Sequence, residues 1–294
     1  MPRPRISDVV KQGRKLVSDG AWGTFLQQQG LAPGECPELW CIDRPAEVQS
    51  IASSYLEAGS DMVETNSFGG SRFKLDHYGL ADRASEINRA AAACSRAAAG
   101  DERWVIASIG PTGMMLLMED CTEDQMTAAF AEQATALAEG GADAICIETM
   151  SDIQEATLAI QAVREHTGCE IIATFTFEKT AQGDYRTMMG VTPEDAARAA
   201  LDAGADIIGT NCGNGIAGMT EIVTAMRAAA PDTPILVHAN AGLPRIEGDQ
   251  TVFPESPEEM AAQVPALAAA GADIIGGCCG TTPDHIRAIR AALA

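Results

Sequence analysis

Four segments of the chain repeat one pattern of glycine, acidic and apolar positions. In each, a glycine, a small residue and an aspartate precede a short apolar run that ends in polar or cysteine residues. The segments are AGSDMVETN (58–66), GGADAICIET (140–149), AGADIIGTNC (203–212) and AGADIIGGCC (270–279). An alanine-rich amphipathic stretch precedes each one, such as EDAARAALDAG before the third. The pattern predicts a helix that ends at a glycine and leads into a short buried strand.

Four further apolar stretches lie before and between these repeats. They are KLVSDGAWGT (15–24), WVIASIGPTG (104–113), EIIATFTFE (170–178) and PILVHANAG (234–242). Strands that are apolar throughout are buried on both faces, which is typical of a parallel sheet. The intervals between the repeats are long enough for two βα units each. We therefore predict an α/β fold, a (β/α)8 TIM barrel forming a single domain over residues 1–294, with a doubly wound open sheet as the alternative.

Composition narrows the class of protein without changing this picture. Of the 294 residues, 46% are hydrophobic and 21% are charged, which is ordinary for a soluble globular protein. The net charge of −21 argues against binding to nucleic acid or to anionic membranes. The N-terminal stretch lacks the apolar core of a secretory signal, and no apolar run reaches the roughly 18 residues of a spanning helix. Nine scattered cysteines indicate free thiols, so we expect a cytoplasmic protein.

Polar side chains stand where the apolar strands end. These ends carry Asp19, then Glu64-Thr65-Asn66, Glu148-Thr149, Asn211-Cys212, His238-Ala239-Asn240 and Cys278-Cys279. Barrel enzymes build their sites from the carboxyl ends of their strands, so we expect these groups to share one rim. The aspartates of the repeat stand at the opposite ends of their strands and are predicted to be structural.

The most informative set is three cysteines, Cys212, Cys278 and Cys279. Neighbouring side chains of a regular strand point to opposite faces, but the glycines of GGCCG allow both thiols to turn the same way. Three thiolates suit zinc and leave a fourth coordination position open, as in catalytic sites. Two alternatives stay open, a vicinal disulfide and ordinary buried thiols, the latter being our prediction for Cys146.

Other polar residues carry weaker signals. Asp19 and Glu148 on one rim suit the binding of an amine, although each could instead hold a helix end or a backbone amide. His285 follows Pro283 in TTPDHI, a typical helix start, and is predicted to be structural. His238 fits either strand-end packing or a site.

Seven motifs together resemble the zinc-dependent homocysteine S-methyltransferases. They are DGAWGT (19–24), ETNSFGGSRFKL (64–75), GPTG (110–113), ETMSDIQEA (148–156), GTNCGNG (209–215), ANAGLP (239–244) and GGCCGTTPDHI (276–286). That family includes betaine–homocysteine methyltransferase, S-methylmethionine-dependent enzymes and the homocysteine-binding module of cobalamin-dependent methionine synthase. The resemblance runs from about Asp19 to the C-terminus, in the order of the family.

The resemblance implies a (β/α)8 barrel with zinc held by Cys212, Cys278 and Cys279. It implies that a zinc-activated thiol of homocysteine attacks an electrophilic methyl group and becomes methionine. Further residues carried over by their motifs are Asp19 and Glu148 for the amino acid part of homocysteine, the amides of Gly20 and Ala21 for its carboxylate, and Asn240 beside the zinc.

The motifs do not fix the methyl donor. We expect a chain that is essentially all barrel, without a folate or cobalamin module or a long C-terminal extension. Betaine or a sulfonium donor would favour an aromatic cage. Candidate cage residues near strand ends are Trp22, Phe68, Phe175, Phe177 and Tyr185.

Methionine-rich loops follow the third and fifth strands. Their methionines are Met114, Met115 and Met118 in one loop, and Met188 and Met189 in the other. Methionine suits adaptable binding surfaces, so we favour a methylated corrinoid protein, supplied in trans, as the partner and donor. The alternatives are a small-molecule donor, with the methionines folded inward as a plug, and, more remotely, a non-catalytic zinc or thiol-sensing scaffold.

Overall fold

The structure is a computed structural model, and it describes residues 3–248 and 250–293. Its main sheet contains eight strands: β1 Leu16–Val17, β2 Met62–Glu64, β3 Trp104–Ile109, β4 Ala144–Met150, β5 Glu170–Phe175, β6 Ile207–Asn211, β7 Ile235–Ala239 and β8 Ile274–Gly277. All pairs are parallel, in the order β1-β8-β7-β6-β5-β4-β3-β2. The ends of this order meet where the Asp61 amide donates to the Val17 carbonyl at 2.7 Å. The predicted (β/α)8 barrel is therefore confirmed, and the open-sheet alternative is wrong.

Helices surround the strands. The outer layer consists of Pro45–Glu57, Ala84–Ala99, Glu123–Glu139, Ile153–His166, Pro193–Ala203, Ile216–Ala229, Pro257–Ala270 and Pro283–Ala292. Shorter helices are Ile6–Lys11, Gly23–Gln28, Trp40–Asp43 and Arg72–Asp76, with 3-10 turns at Pro37–Leu39, Ala81–Arg83 and Leu116–Met118. Two hairpins pair Glu178–Lys179 with Tyr185–Arg186 and Arg245–Glu247 with Gln250–Val252. Among the described helices, none has the length and apolarity that crossing a membrane requires.

The inside of the barrel is packed with apolar side chains. They are Leu16, Met62, Trp104, Ile106, Ala144, Cys146, Ile172, Ile207, Leu236 and Ile274, joined by Ile6 and Val10. Cys146 is fully buried among them, as predicted. The helix Ile6–Lys11 covers the amino end of the barrel, because the amides of Ile6 and Ser7 donate to the Glu170 carboxylate at 2.7 and 2.9 Å.

The aspartates of the repeat tie the strands together at this amino end, which we call the base. Each carboxylate accepts a hydrogen bond from the amide at the start of a neighbouring strand: Asp61 from Val17, Asp143 from Val105, Asp206 from Ile171 and Asp273 from Ile235. Each also pairs with basic side chains: Asp61 with Arg14 and Arg290, Asp143 with Arg3 and Arg96, Asp206 with Arg5, and Asp273 with Lys15 and Arg227. The predicted structural role of these aspartates is confirmed.

The glycine of the repeat serves the same arrangement. Gly204 and Gly271 end their helices with φ of 108° and 118°, the left-handed region that side chains avoid. A Cβ at Gly271 would lie 2.7 Å from Nε of Arg227, the partner of Asp273. Glycine therefore both turns the chain and leaves room for the arginine.

Candidate active site

A cavity of about 290 Å³ opens among the loops at the carboxyl ends of the strands. Three kinds of group line it. They are the cysteines Cys212, Cys278 and Cys279, the polar side chains Glu64, Ser108, Glu148 and His238, and the rings of Trp22 and Phe68. The predicted convergence of thiols and carboxylates on one rim is therefore present in the structure.

The three thiols form a compact triangle. The Sγ atom of Cys279 lies 3.9 Å from that of Cys212 and 4.0 Å from that of Cys278, and all three sulfurs lie within 4.8 Å of one another. Tetrahedral zinc with bonds of about 2.3 Å would set its sulfur ligands about 3.8 Å apart. All nine cysteines are free thiols, so the vicinal disulfide does not occur here.

Backbone irregularities turn these thiols toward one point. Cys212 follows β6 with φ of 57°, a left-handed conformation that is rare outside glycine. After β8, Gly280 has φ of 81°, and the Thr281 hydroxyl donates to the Cys278 carbonyl at 2.7 Å. A Cβ at Gly277 would lie 2.3 Å from that hydroxyl oxygen. The glycines therefore permit a tight turn that a regular strand could not make.

The thiols influence one another electrostatically. Hydrogen bonds from Cys278 and Cys279 hold the pKa of the Cys212 thiol well below its usual range. The contact with Cys212 raises the pKa of Cys279 to about 12, and that of Cys278 is also raised. One thiolate therefore suppresses ionisation of its neighbours, because negative charges this close repel each other. Such a set favours a bound cation, since metal ligation deprotonates thiols.

Glu148 is held from both sides by neighbouring side chains. The Ser108 hydroxyl donates to its Oε1, and Nδ2 of Asn211 donates to its Oε2 at 3.2 Å. Oδ1 of Asn211 in turn accepts from the Thr149 amide at 2.8 Å and from the Thr174 hydroxyl at 2.7 Å. Burial raises the pKa of Glu148 to about 7. Sequence analysis placed Asn211 on the rim but did not reveal that its side chain, next to Cys212 in the chain, holds the Glu148 carboxylate.

Asp19 lies beneath the cavity. It is fully buried, and it is not among the described residues that line the cavity. Its Oδ2 accepts from Nε1 of Trp22 at 2.9 Å and from the Glu64 amide at 2.8 Å. Burial raises the pKa of its carboxyl to about 6. Its predicted contact with an amine stays a prediction.

The predicted carboxylate-binding amides differ in availability. Gly20 and Ala21 both line the cavity. The Ala21 amide already donates to the Thr281 hydroxyl oxygen at 3.0 Å, so binding a carboxylate would require it to exchange or share that bond. Their role in carboxylate binding stays a prediction.

Asn240 and His238 lie next to the thiols. A hydrogen bond from the Asn240 side chain further lowers the pKa of Cys212, and Asn240 Oδ1 has no partner among the described residues. His238 is buried, and burial lowers its pKa to about 4, so the ring is neutral. Its imidazole, Glu64 and Glu148 place potential ligand atoms within 4.8 Å of one another. Sequence analysis left His238 undecided and gave Glu64 no specific role.

His285 has the structural role predicted for it. Its Nδ1 accepts from the amide of Thr282, the N-cap of the helix Pro283–Ala292, at 3.1 Å. Its Nε2 lies 3.0 Å from the Glu255 carbonyl.

The proposed aromatic cage is only partly available. Trp22 and Phe68 line the cavity. Phe175, Phe177 and Tyr185 are instead buried in the core between strands and helices. These three rings cannot surround a ligand in the cavity, and their inclusion in a cage was wrong.

Exposed large apolar side chains are concentrated on the same rim. In the described part of the chain they are Phe68, Tyr78, Met115, Leu117, Met118, Met188, Met189, Leu243 and Ile246, all in segments that follow strands. Met118 is 67% exposed and Met188 is 82% exposed, so neither plugs the barrel mouth. Met114 differs, since it is partly buried against the core.

Residues 16–293 match the family model described as homocysteine S-methyltransferase. The chain belongs to the homocysteine S-methyltransferase family. Similar members include methionine synthase of Mycobacterium tuberculosis, 34% identical over 98% of this chain, and methionine synthase of Mycobacterium leprae, 33% identical over 96%. The chain spans about a quarter of the length of these relatives, 25% and 24%.

Solved structures of a homocysteine methyltransferase share the fold. The homocysteine methyltransferase MmuM from Escherichia coli matches in its metallated form with a TM-score of 0.79 and 21% identity, covering 97% of this chain and 98% of that one. Its oxidised form matches with a TM-score of 0.76 and 22% identity, over 94% and 95%.

Proposed function

We propose that this homocysteine S-methyltransferase family member transfers a methyl group to the thiol of homocysteine, giving methionine, in a zinc-dependent reaction. The observation that carries the proposal is the thiol triangle of Cys212, Cys278 and Cys279 beside a cavity lined by carboxylates. Family membership and the similarity to methionine synthases support the same reaction.

The donor set fits zinc. Its sulfur separations of 3.9 and 4.0 Å are close to the spacing of a tetrahedral thiolate site. Zinc there would lower the pKa of a substrate thiol in the fourth position and so supply a nucleophile at neutral pH. An open cavity next to the thiols favours a catalytic site over a closed structural one.

The surrounding residues bind and orient the amino acid. Ser108 and Asn211 fix the Glu148 carboxylate, which accepts hydrogen bonds from the substrate ammonium. The amides of Gly20 and Ala21 face the substrate carboxylate, and Asn240 stays beside the metal ligands. At about 290 Å³, the cavity is near the lower end of ligand sites, which suits an amino acid.

The methyl donor in this proposal is a methylated corrinoid protein that docks on the rim. Its contact surface includes Met115, Met118, Met188 and Met189, with Met114 supporting the loop from inside. Exposed apolar side chains gathered on one rim favour an interaction site. The methionine synthase relatives are about four times longer than the matched segment, so that segment is one part of a longer chain there.

A cationic small molecule is a second candidate donor. Trp22 and Phe68 present rings to the cavity, and an aromatic face attracts a quaternary ammonium or sulfonium group. Two rings make a smaller cage than the five considered from sequence.

A donor screen tests the function. Purified zinc-loaded protein is incubated with homocysteine and, in turn, a methylated corrinoid protein, betaine or S-methylmethionine, and methionine is measured by mass spectrometry. We expect methionine with the corrinoid protein. Turnover with a small donor alone would overturn the donor assignment. Absence of methionine with every donor, together with full zinc occupancy, would favour a non-catalytic zinc scaffold.

A further inference from the structure

The side chain of Asn211, the last residue of β6, makes more hydrogen bonds than holding Glu148 requires. It is buried, with 1% exposure. Its Oδ1 accepts from the Thr149 amide at 2.8 Å and from the Thr174 hydroxyl at 2.7 Å. Its Nδ2 donates to the Thr149 hydroxyl at 2.7 Å and to the Glu148 carboxylate at 3.2 Å. Both donors and both lone pairs of the amide are therefore occupied, which fixes its orientation.

Two strained turns meet at this side chain. In the described part of the chain, three residues other than glycine have positive φ, and two of them are Thr149 at 62° and Cys212 at 57°. Such a conformation is unfavourable, above all for a β-branched residue such as threonine, and persists only where neighbouring groups hold it. Asn211 bonds both the amide and the hydroxyl of Thr149, and it directly precedes Cys212. One side chain therefore joins the turn after Glu148 to the turn that carries a proposed zinc ligand.

The peptide group between Asn211 and Cys212 has little freedom of its own. The Asn211 carbonyl accepts from the Thr176 hydroxyl at 2.7 Å, and the Cys212 amide donates to the His238 carbonyl at 2.9 Å. Both polar groups of this peptide are thus held by neighbouring strands. A displacement of the Asn211 side chain is therefore passed on to the Cys212 turn, because the peptide between them cannot rotate freely.

We propose that Asn211 is a positioning residue that couples zinc binding at Cys212 to occupancy of the amino acid cavity, by a route that does not involve the substrate sulfur. This inference rests on the proposed function. A ligand that fixes the Glu148 carboxylate also fixes Asn211, and zinc then binds a Cys212 turn that is already ordered. By linkage, zinc strengthens amino acid binding by the same factor, so the metal-free chain binds the amino acid more weakly.

The test uses L-2-aminobutanoate, which is homocysteine without its sulfur and has no thiolate to offer the metal. Zinc affinity is measured by competition with a chromophoric chelator, with and without saturating L-2-aminobutanoate. The D-enantiomer chelates free zinc equally well and corrects for binding of zinc in solution. Thermal unfolding is recorded for every protein.

The proteins compared are the wild type, Asn211→Ala, Asn211→Asp and Asn214→Ala. Asn214 is the matched control, because it is a buried asparagine of the same loop whose Nδ2 donates to the Phe177 carbonyl at 2.7 Å. Removing it perturbs the loop without touching the connection between Glu148 and Cys212. Asn211→Asp keeps acceptor oxygens for Thr149 and Thr174 but replaces the donor to Glu148 by an acceptor.

We expect L-2-aminobutanoate to strengthen zinc binding to the wild type about fivefold or more. This ratio should fall to near one in Asn211→Ala and stay as in the wild type in Asn214→Ala, even where both variants are less stable. If Asn211→Ala does not fold, Asn211→Asp should show the same loss of the ratio.

Three outcomes would overturn the inference. They are a ratio near one in the wild type, a retained ratio in a folded Asn211 variant, and an equal loss of the ratio in Asn214→Ala, which would make the coupling a general property of the loop. Failure of the wild type to bind zinc or homocysteine would instead overturn the proposed function.

Discussion

The two ends of the barrel use buried carboxylates in opposite ways. At the base, Asp61, Asp143, Asp206 and Asp273 each bond a strand amide and an arginine or lysine. At the rim, Asp19, Glu64 and Glu148 are buried together. Among the described residues, the basic side chain nearest to them is the neutral imidazole of His238, 3.6 Å from Glu64. The four aspartates at the base have cationic partners, whereas the three acids at the rim do not have one within the described part of the chain.

This difference separates structural from functional acids. A paired carboxylate stabilises the fold, whereas buried acids without a cationic partner have raised pKa values and mark a candidate functional site. The thiol triangle resembles the rim carboxylates in this respect, because a bound cation would stabilise its three thiolates. Variants at the rim should therefore change binding, and variants at the base should change stability.

The largest expected effect is on the metal. Cys212→Ala or Cys279→Ala should lower zinc affinity by more than about 100-fold, since each removes a proposed ligand. Zinc per chain is measured by atomic spectrometry after dialysis. Cys169→Ala, a half-buried cysteine next to the base, is the control and should keep its zinc. Full zinc retention in both rim variants would contradict the ligand assignment.

Glu148→Gln should weaken homocysteine binding by about 2–5 kcal/mol, the range for truncating a buried charged hydrogen bond. Zinc content should not change, because Glu148 lies outside the thiol triangle. Calorimetry with homocysteine checks both points when it is combined with metal analysis. Unchanged affinity would leave Glu148 with a structural role.

Asp61→Asn is the counterpart at the base. Asp61 is 2% exposed and pairs with Arg14 and Arg290, so its loss should reduce the free energy of unfolding by about 2–4 kcal/mol. Zinc content and homocysteine affinity of the folded protein should stay as in the wild type. Urea unfolding measures the first quantity. A loss of homocysteine affinity without a loss of stability would contradict the structural role of Asp61.

Lowering the pH should weaken homocysteine binding, because it protonates Glu148 at the rim. Burial raises the pKa of Glu148 to about 7, and only the ionised carboxylate pairs with an ammonium. Affinity should therefore be full above that pKa and decline below it, approaching about tenfold per pH unit. The affinities of the wild type and Glu148→Gln are measured at pH 5.5–7.5 and expressed as a ratio. Protonation of the substrate thiol affects both proteins equally and therefore cancels in this ratio. A constant affinity ratio across this range would argue against Glu148 titration.

The smallest effect concerns the apolar rim. Met118→Ser combined with Met188→Ser should raise the KM for a methylated corrinoid protein roughly threefold or more, because both side chains are exposed for contact. Met114→Ser and Met115→Ser test the rest of the loop. Met114, being partly buried, should affect stability more than docking. Zinc content and homocysteine binding serve as controls, and an unchanged KM would remove the loop from the interface.

The sequence predicted those features of the site that follow from the order of strands along the chain. Repeated glycine and aspartate positions predicted four strands, and apolar stretches before and between them predicted four more, which placed Cys212, Cys278 and Cys279 on one rim. It did not reveal that Asp19 is buried outside the cavity lining whereas Glu64 is part of it. Strand β1 is only two residues long, so its alternation does not indicate which way Asp19 points. Besides the nearby Trp22 indole, Asp19 is held by the Glu64 amide, which is 45 residues away along the chain and which no local pattern reveals.

The loops were less predictable for a similar reason. Met114 and Met118 lie four residues apart in one apolar stretch, yet one packs inward and the other faces outward. A 3-10 turn at Leu116–Met118 sets that difference, and methionine adapts to either environment. Likewise, Phe175 and Phe177 stand at a strand end, but both point into the core.

The covered base also constrains the order in which substrates bind and products leave. Because Ile6 and Val10 close the barrel from below and its interior is filled, the proposed amino acid and methyl donor would share the mouth at the rim. A donor protein seated on that mouth would block passage of the amino acid. Homocysteine would then have to enter before the donor docks, and methionine would leave only after it departs. Steady-state kinetics should show an ordered sequential pattern, and random addition would indicate that the docked donor leaves the mouth open.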